Sequence, residues 1–148
     1  MIRIQKSDGR YVRVRALLDT CSTAHFITEE CARELNLPMS PCAIPVGAID
    51  STMTTSKHAM NITFQSIYNR FAKTLTFLTV PTIAESIPTE VFPREALQIP
   101  SNVQLADPSF HVPRAVDLLI GSGATLSLLS IGQINLSRDG CDLFLQKT

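Results

Sequence analysis

The chain has 148 residues, of which 45% are hydrophobic, and its 13 basic residues balance 13 acidic ones. This length and composition suit one domain that spans residues 1–148 and contains a substantial apolar core. A net charge of zero argues against nucleic-acid binding, which needs a basic surface, and favours an uncharged or apolar partner.

The chain begins with a predicted β-hairpin. Ile2–Ile4 and Tyr11–Val14 alternate apolar and polar residues on either side of Ser7–Arg10, which is a typical turn sequence. The apolar run Ala16–Leu18 follows and predicts a buried strand. The second strand of the hairpin therefore leads directly to the carboxylate of Asp19.

Asp19 lies where an apolar strand meets a cluster of small polar residues. A carboxylate at the end of a buried strand loses solvation, which raises its pKa unless neighbouring groups replace the lost hydrogen bonds. Thr20, Ser22 and Thr23 carry hydroxyl groups that can supply such bonds. This placement favours a chemical role for the acid. A strand-end aspartate can also simply cap a turn, so the residues alone leave both roles open.

Residues 28–38 predict a helix of two to three turns. Thr28 is suited to cap its N-terminus, and Glu29 and Glu30 occupy the first turn. Asn36 and Pro38 are stop signals. We expect this helix to cover one side of a sheet and to carry no chemistry.

Four further strands are predicted before residue 81. Cys42–Ile49 and Thr52–Lys57 form two strands around a turn near Asp50-Ser51. Met60–Phe64 and Phe71–Val80 form two more, and the last is rich in β-branched and aromatic residues. We expect the last two strands to supply much of the core.

Residues 81–113 contain six prolines, which cannot donate to a sheet ladder. They exclude a long regular element, so we expect a long Pro-rich insertion or loop over residues 81–115. Apolar residues in Val91-Phe92 and in Leu97–Ile99 are candidates to pin it to the body. We therefore expect partial order in this segment.

The last third of the chain predicts three elements. Val116–Ile120 forms a buried strand, Ala124–Ser130 a short helix and Cys141–Gln146 a terminal strand. Residues 115–134 are largely apolar, but Asp117 and several glycines interrupt them. We therefore expect these residues to belong to the core and predict no membrane partner.

The four cysteines Cys21, Cys31, Cys42 and Cys141 form no C-x-x-C pair and have no zinc-like spacing to a histidine. The sequence therefore predicts no metal site and no cofactor. No signal peptide follows Met1, so we expect an intracellular, cytoplasmic setting in which the thiols stay reduced.

Five segments, taken in order, resemble the protease region of BEL/Pao-type LTR retrotransposons. They are Leu17-Leu18-Asp19, Phe26-Ile27-Thr28-Glu29, Asp117-Leu118-Leu119-Ile120-Gly121, Ile131-Gly132-Gln133-Ile134 and Leu145-Gln146-Lys147-Thr148. The resemblance covers nearly the whole chain, from about Val12 onward.

Two of these segments resemble the active-site elements of aspartic proteases. Asp19-Thr20-Cys21 resembles the catalytic loop, which usually reads Asp-Thr/Ser-Gly, with Cys21 at the glycine position. Residues 116–121 resemble the apolar-apolar-Gly element that crosses behind that loop. The resemblance implies an all-β, retropepsin-like closed barrel with one or two short helices. It also implies a homodimer with its active site on the two-fold axis, and a retrotransposon particle as the setting.

The resemblance also implies roles for individual residues. Two copies of Asp19 would share one proton and activate a water that cleaves polyprotein peptide bonds, while Thr20 would hydrogen-bond across the two-fold axis. The residues implied to bind the peptide substrate are Cys21, Thr23, Gly47, Ala48, Ile49 and Ile120. A terminal strand would help to form the dimer interface.

Other readings of the sequence fit less well. Asp50-Ser51-Thr52 superficially repeats the catalytic pattern but lies at a predicted turn. A thiol protease built on Cys21 and His25 lacks an orienting third group, and Ser122 does not sit in a G-x-S-x-G elbow.

A rival from another class is a protease fold that no longer cleaves and serves as a dimeric interaction module. It differs from the enzyme mainly at Cys21.

Overall fold

A computed structural model of the chain describes residues 1–47, 53–138 and 142–148. Strands predominate among these residues, as predicted for an all-β domain with one or two short helices. The strands are β1 (Ile2–Gln5), β2 (Tyr11–Val14), β3 (Ala16–Leu18), β4 (Phe26–Thr28), β5 (Ser40–Gly47), β6 (Met53–Ser66), β7 (Ala72–Val80), β8 (Leu118–Ile120), β9 (Gln133–Asn135) and β10 (Phe144–Gln146). The helices are α1 (Glu29–Leu35) and α2 (Ser122–Leu128), with a 3₁₀ turn at Arg94–Leu97.

The main sheet is nearly closed into a barrel. Its strand order is β2-β1-β6-β7-β4-β8-β3, and β5 pairs with β6 beside this path. The two end strands, β2 and β3, follow each other in the chain with only Arg15 between them. The sheet therefore curls round until its two ends meet at Arg15.

Local sequence explains the predicted hairpin and helix. Gly9 adopts the left-handed φ of 83° that the β1–β2 turn requires. The Thr28 hydroxyl accepts a hydrogen bond from the Cys31 amide at the start of α1, and Asn36 ends the helix with a φ of 51°. Both elements are confirmed. None of the helices in the described part of the chain is long and apolar enough to cross a membrane.

The apolar core lies inside the curled sheet and under α1. It is formed mainly by β1, β4, β6, β7, β8 and α1, and α1 contributes the residues on its buried face. The core side chains that are fully buried include Ile4, Ile27, Leu35, Ile62, Phe77, Leu118 and Ile120. Burial of these side chains supplies the main favourable term in folding.

Several elements differ from the sequence-based prediction. The strand predicted at Met60–Phe64 and the described part of the strand predicted at Thr52–Lys57 form one continuous strand, β6, because His58 and Ala59 between them stay paired with β5. The short strands β4 and β9 were not predicted. The second helix begins at Ser122 rather than Ala124. The terminal strand begins at Phe144 and pairs with β9 in a separate two-stranded sheet.

Residues 81–115 form the expected insertion without a long regular element. They contain the 3₁₀ turn and a single antiparallel bridge between Ile87 and Arg114. Val91, a predicted anchor, is 67% exposed. Phe92 packs instead against Phe110, with ring centroids 5.7 Å apart, so its contact lies within the insertion.

The buried side chain of Arg15 anchors the insertion to the barrel. Its guanidinium lies 2.6 Å from the Asp107 carboxylate and donates hydrogen bonds to the carbonyl oxygens of Ile87, Ser109 and Arg114. Arg15 is only 7% exposed. Because a buried charge needs a partner, this ion pair fixes the insertion where the two ends of the sheet meet.

Candidate active site

Asp19 follows β3 at the edge where two parallel strands end together. In the β3–β8 pair, Leu18 lies opposite Ile120. The Asp19 amide continues this ladder by donating to the Ile120 carbonyl over 2.9 Å. The backbone of Asp19 is therefore fixed by β8, while its side chain is partly exposed.

The carboxylate of Asp19 is oriented by the backbone of the loop. Its Oδ1 accepts a hydrogen bond of 2.8 Å from the Cys21 amide. The expected hydroxyl donors are not used in this way, since the Ser22 hydroxyl donates to the Ala24 carbonyl. A backbone donor serves the carboxylate whatever side chain residue 21 carries, provided that it is not proline.

Cys21, which the resemblance places at a glycine position, does not have a left-handed backbone conformation. Among the described residues other than glycine, only Asn36 and Gln98 have a positive φ. Cys21 therefore does not need the conformational freedom of glycine. The difference from glycine is confined to its exposed side chain, which adds a β-carbon and a thiol to the surface of the loop.

The turn between β8 and α2 packs against the Asp19 loop, residues 19–25, which joins β3 to β4. The Ser122 amide donates to the Ser22 carbonyl over 2.8 Å. A β-carbon on Gly121 would lie 2.3 Å from the Ala24 carbonyl oxygen and 2.7 Å from that of Ser22. Only glycine fits at this close approach of two backbones.

His25 is the functional candidate that sequence reasoning considered only as a partner for a thiol. Its Nδ1 accepts a hydrogen bond of 2.9 Å from the Gly121 amide, and its ring packs against Phe77 with centroids 5.7 Å apart. Burial, with a smaller contribution from Lys73, lowers the pKa of this imidazole from its ordinary value of 6.5. Since Nδ1 is engaged by Gly121, His25 is not arranged as a base for Cys21.

The other predicted site residues lie in several places. Thr20, Cys21 and Thr23 are exposed on the Asp19 loop. Gly47 ends β5 and pairs with Met53, so it belongs to the β5–β6 hairpin. The side chain of Ile120 is 1% exposed and points into the core, so its carbonyl is the part that reaches the loop.

Some predicted positions lie outside the described residues. These are Ala48 and Ile49 of the substrate-binding set, the alternative site Asp50-Ser51-Thr52, and Cys141. In the described ranges, no group of three or more His, Cys, Asp or Glu side chains is arranged to hold a metal ion.

The described thiols differ in their surroundings. Cys21, Cys31 and Cys42 are free, and they are exposed, buried and half-buried respectively. Burial, followed by the nearby Asp117 carboxylate, raises the pKa of the Cys31 thiol to about 12. Cys31 is therefore a core residue rather than a nucleophile.

Asp117 lies at the opposite end of the parallel pair from Asp19. It precedes β8, and its carboxylate accepts a hydrogen bond of 2.6 Å from the Arg15 amide. Arg15 and Asp117 are four residues along their strands from Asp19 and Gly121, which corresponds to about 13 Å at the usual rise of a strand. Asp117 therefore cannot share a proton with Asp19 within one chain.

No protein-family model, curated protein or solved structure matches this chain.

Proposed function

We propose that the chain is an aspartic endopeptidase of the retrotransposon type, which cleaves polyprotein peptide bonds as a homodimer. The observation that carries this proposal is the placement of Asp19. Its partly exposed carboxylate accepts from the Cys21 amide, and its backbone is tied to Ile120. A carboxylate held in this way is oriented before substrate arrives, which is what electrostatic and acid-base catalysis require.

The chemistry needs two such carboxyl groups that share one proton. The ionised Asp19 accepts a proton from water as the water oxygen bonds to the scissile carbonyl carbon, and the protonated Asp19 of the second copy donates its proton to the carbonyl oxygen. The resulting tetrahedral diol returns a hydroxyl proton to one carboxylate. The leaving nitrogen takes a proton from the other carboxyl group as the carbon–nitrogen bond breaks, which restores the shared-proton pair.

The need for a second carboxylate supports a dimer. Asp117 lies at the opposite end of the β3–β8 pair and is too far from Asp19 to provide it. The simplest source is the Asp19 of a second copy, related to the first by a two-fold axis beside this residue. Thr20 is exposed next to Asp19, where it can hydrogen-bond to a second copy. Exposed apolar side chains in α2 and in the residues after it are suited to association, including Leu126 at 65% exposure and Ile131 at 100%.

The remaining parts of the proposal follow from the family resemblance. Cys21 and Thr23 lie on the loop that would form the floor of the cleft, and Gly47 lies in the hairpin that would close over the substrate. The cytoplasmic retrotransposon particle is proposed on the same basis.

Substitution of Asp19 by asparagine tests the proposal. Asp19→Asn keeps the size and an oxygen that can accept from the Cys21 amide, but it cannot share or donate the dyad proton. We expect it to slow self-cleavage of a precursor with native flanking sequence by about a thousandfold or more. The matched control is Asp8→Asn, which changes an exposed turn aspartate that pairs with Arg10.

Two measurements make this test decisive. Circular dichroism and sedimentation of both variants show whether fold and association are kept. Undiminished cleavage by Asp19→Asn would refute the assignment of Asp19. Cleavage by a species that remains strictly monomeric at high concentration would refute the shared dyad.

A second candidate function is a dimeric interaction module that no longer cleaves. The exposed thiol of Cys21, at the position of the family glycine, is the observation that favours it. The module predicts association without proteolysis for the wild type. A statine-type transition-state mimic should then have no effect on the stability of the protein.

A further inference from the structure

We propose that His25 is a positioning residue whose uncharged imidazole holds the β8–α2 turn against the Asp19 loop, and that protonation of His25 releases this contact. The contact is the hydrogen bond of 2.9 Å from the Gly121 amide to His25 Nδ1. A backbone N–H can only donate, so Nδ1 must be the unprotonated nitrogen of the ring. An imidazolium carries hydrogen on both nitrogens and would direct an N–H at the Gly121 N–H.

The backbone around this bond leaves little room for adjustment. Gly121 is buried, and the carbonyl oxygens of Ser22 and Ala24 already occupy the space where a β-carbon would stand. On either side of Gly121, the Ile120 carbonyl accepts a hydrogen bond from the Asp19 amide, and the Ser122 amide donates one to the Ser22 carbonyl. The hydrogen bond to His25 lies between these two contacts. Of the three, it is the one whose acceptor can be protonated.

The neighbouring charge of Lys73 opposes protonation of His25. Lys73 on β7 faces it, and the ammonium of Lys73 also donates to the Ser127 hydroxyl of α2. Residues 118–129, which include β8 and α2, contain no titratable side chain. The other packed group from β7 is the uncharged ring of Phe77. On the same loop, Asp19 is hydrogen-bonded to the Cys21 amide.

The direction of the pH effect follows from the pKa. Burial and Lys73 lower the pKa of His25 below its ordinary value of 6.5, so the unfolded chain binds this proton more readily than the folded chain. The stabilising contribution is therefore present above about pH 6.5 and is lost as the pH falls through the lowered pKa. The Asp19 loop should loosen on that acid side.

A consequence for activity rests on the proposed function. A shared-proton carboxyl pair becomes more active as the pH falls from neutrality, because one of its carboxyl groups must be protonated. Protonation of His25 opposes this rise by releasing the loop. We therefore expect His25 to contribute to the acid limb of the pH–rate profile.

Two substitutions separate the hydrogen bond from the titration. His25→Asn places an amide oxygen near the position of Nδ1, so it can accept from Gly121 at any pH. His25→Leu removes the acceptor and leaves the buried Gly121 amide unpaired. The matched control is His58→Asn, which changes an exposed histidine on β6.

The first readout does not depend on catalysis. Nuclear magnetic resonance of the wild-type chain between about pH 7.5 and about pH 4.5 should show the His25 ring and the Gly121 amide titrating together, below the ordinary imidazole pKa of 6.5. His25→Asn should abolish the titration of the Gly121 amide, and His58→Asn should not. A Gly121 amide that is indifferent to pH in the wild-type chain would overturn the proposal, even if the variants fail to fold.

The second readout is the pH dependence of unfolding and of cleavage. Wild type should lose stability over this acid range by a larger amount than His25→Asn, whereas His25→Leu should be destabilised at every pH. In His25→Asn, the acid limb of the cleavage profile should move to lower pH by about one unit, because the asparagine keeps its contact with Gly121 when the wild-type histidine is protonated. Identical stability profiles for wild type and His25→Asn would contradict the proposal. Absence of cleavage at every pH, with the Gly121 titration intact, would refute the proposed function and leave the role of His25 standing.

Discussion

At the start of the parallel pair β3–β8, a buried guanidinium and two carboxylates hold the chain together, whereas at its end the Asp19 loop is held mainly through backbone atoms. Arg15 contacts Asp107 through its side chain, and Asp117 accepts from the Arg15 amide. At the other end, main-chain donors and acceptors supply most of the contacts that fix Asp19 and Gly121, and the ring of His25 adds a side-chain acceptor.

This difference has consequences for which changes each end tolerates. A site held by charged side chains depends on their identity, because removal of one partner leaves the other charge buried. A site held by backbone groups tolerates a change of side chain wherever space allows it. Cys21 is such a change, and Gly121 marks the position where space does not allow one.

The largest effect is expected at the charged end. Arg15→Met keeps much of the apolar stem but leaves the Asp107 carboxylate without its partner, so we expect a loss of about 3 kcal/mol in the free energy of unfolding. Residues 81–115 should become sensitive to limited proteolysis because they lose their anchor. Urea unfolding and mass spectrometry of the cleavage products measure both effects.

A second substitution tests whether the unpaired Asp107 carboxylate causes the loss of stability. Arg15→Met combined with Asp107→Asn removes that charge and should recover part of the lost stability. The surface control is Arg10→Met, which breaks the exposed pair with Asp8 and should change stability little. Equal stability of wild type and Arg15→Met would show that the insertion is held by other contacts.

The next effect is expected at Gly121. Gly121→Ala places a β-carbon 2.3 Å from the Ala24 carbonyl oxygen, and a backbone atom cannot move aside as a flexible side chain can. We expect a loss of about 2 kcal/mol in the free energy of unfolding because the Asp19 loop must shift and, if the proposed function holds, loss of proteolysis as well. Thermal unfolding and a peptide cleavage assay measure the two losses.

Gly123 provides the matched control two residues away. A β-carbon there would meet nothing within 4 Å, and the residue lies in α2. Gly123→Ala should therefore leave any cleavage activity unchanged and stabilise the chain by about 0.5 kcal/mol, because alanine has the higher helix propensity. If both alanine variants behaved alike, the close approach at Gly121 would not be a constraint.

The contrast between the two ends of the β3–β8 pair also explains which features could be predicted from the sequence. The strand before Asp19 and the cap of α1 at Thr28 follow from short patterns of neighbouring residues, whereas Gly121 was singled out only by the family resemblance. The partners of Arg15 lie between 72 and 102 residues away in the chain, so no local pattern contains them. An arginine within an apolar run was the one available signal, and it does not identify a partner.

The role of His25 was not predicted for a similar reason. Its partner is a backbone amide 96 residues away, and a backbone donor leaves no trace in the sequence. The unbroken length of β6 was missed because His58 and Ala59 interrupt its apolar alternation, while pairing with β5 holds the strand together. Local chemistry therefore predicted that Asp19 follows a buried strand, whereas the donor to its carboxylate and the packing around its loop had to come from the fold.

The smallest effect is expected at Cys21. Its backbone has no left-handed φ and its amide already serves Asp19, so glycine at this position would add space without a new contact. If the proposed function holds, Cys21→Gly should speed cleavage roughly fivefold, which corresponds to about 1 kcal/mol in the barrier. It should also lower stability by up to about 1 kcal/mol, because glycine gains freedom in the unfolded chain.

Cys21→Ala separates the contribution of the β-carbon from that of the sulfur, since it keeps the first and removes the second. Its cleavage rate should fall between those of wild type and Cys21→Gly. In the proposed dimer, two copies of the exposed thiol would face the same axis, so an oxidant could join them if their Cα atoms lie within about 7 Å. Reductant should then raise the rate of the wild type alone. Equal rates for all three proteins, with and without reductant, would show that a side chain at residue 21 does not narrow the cleft, as expected if only the backbone of the loop meets the substrate.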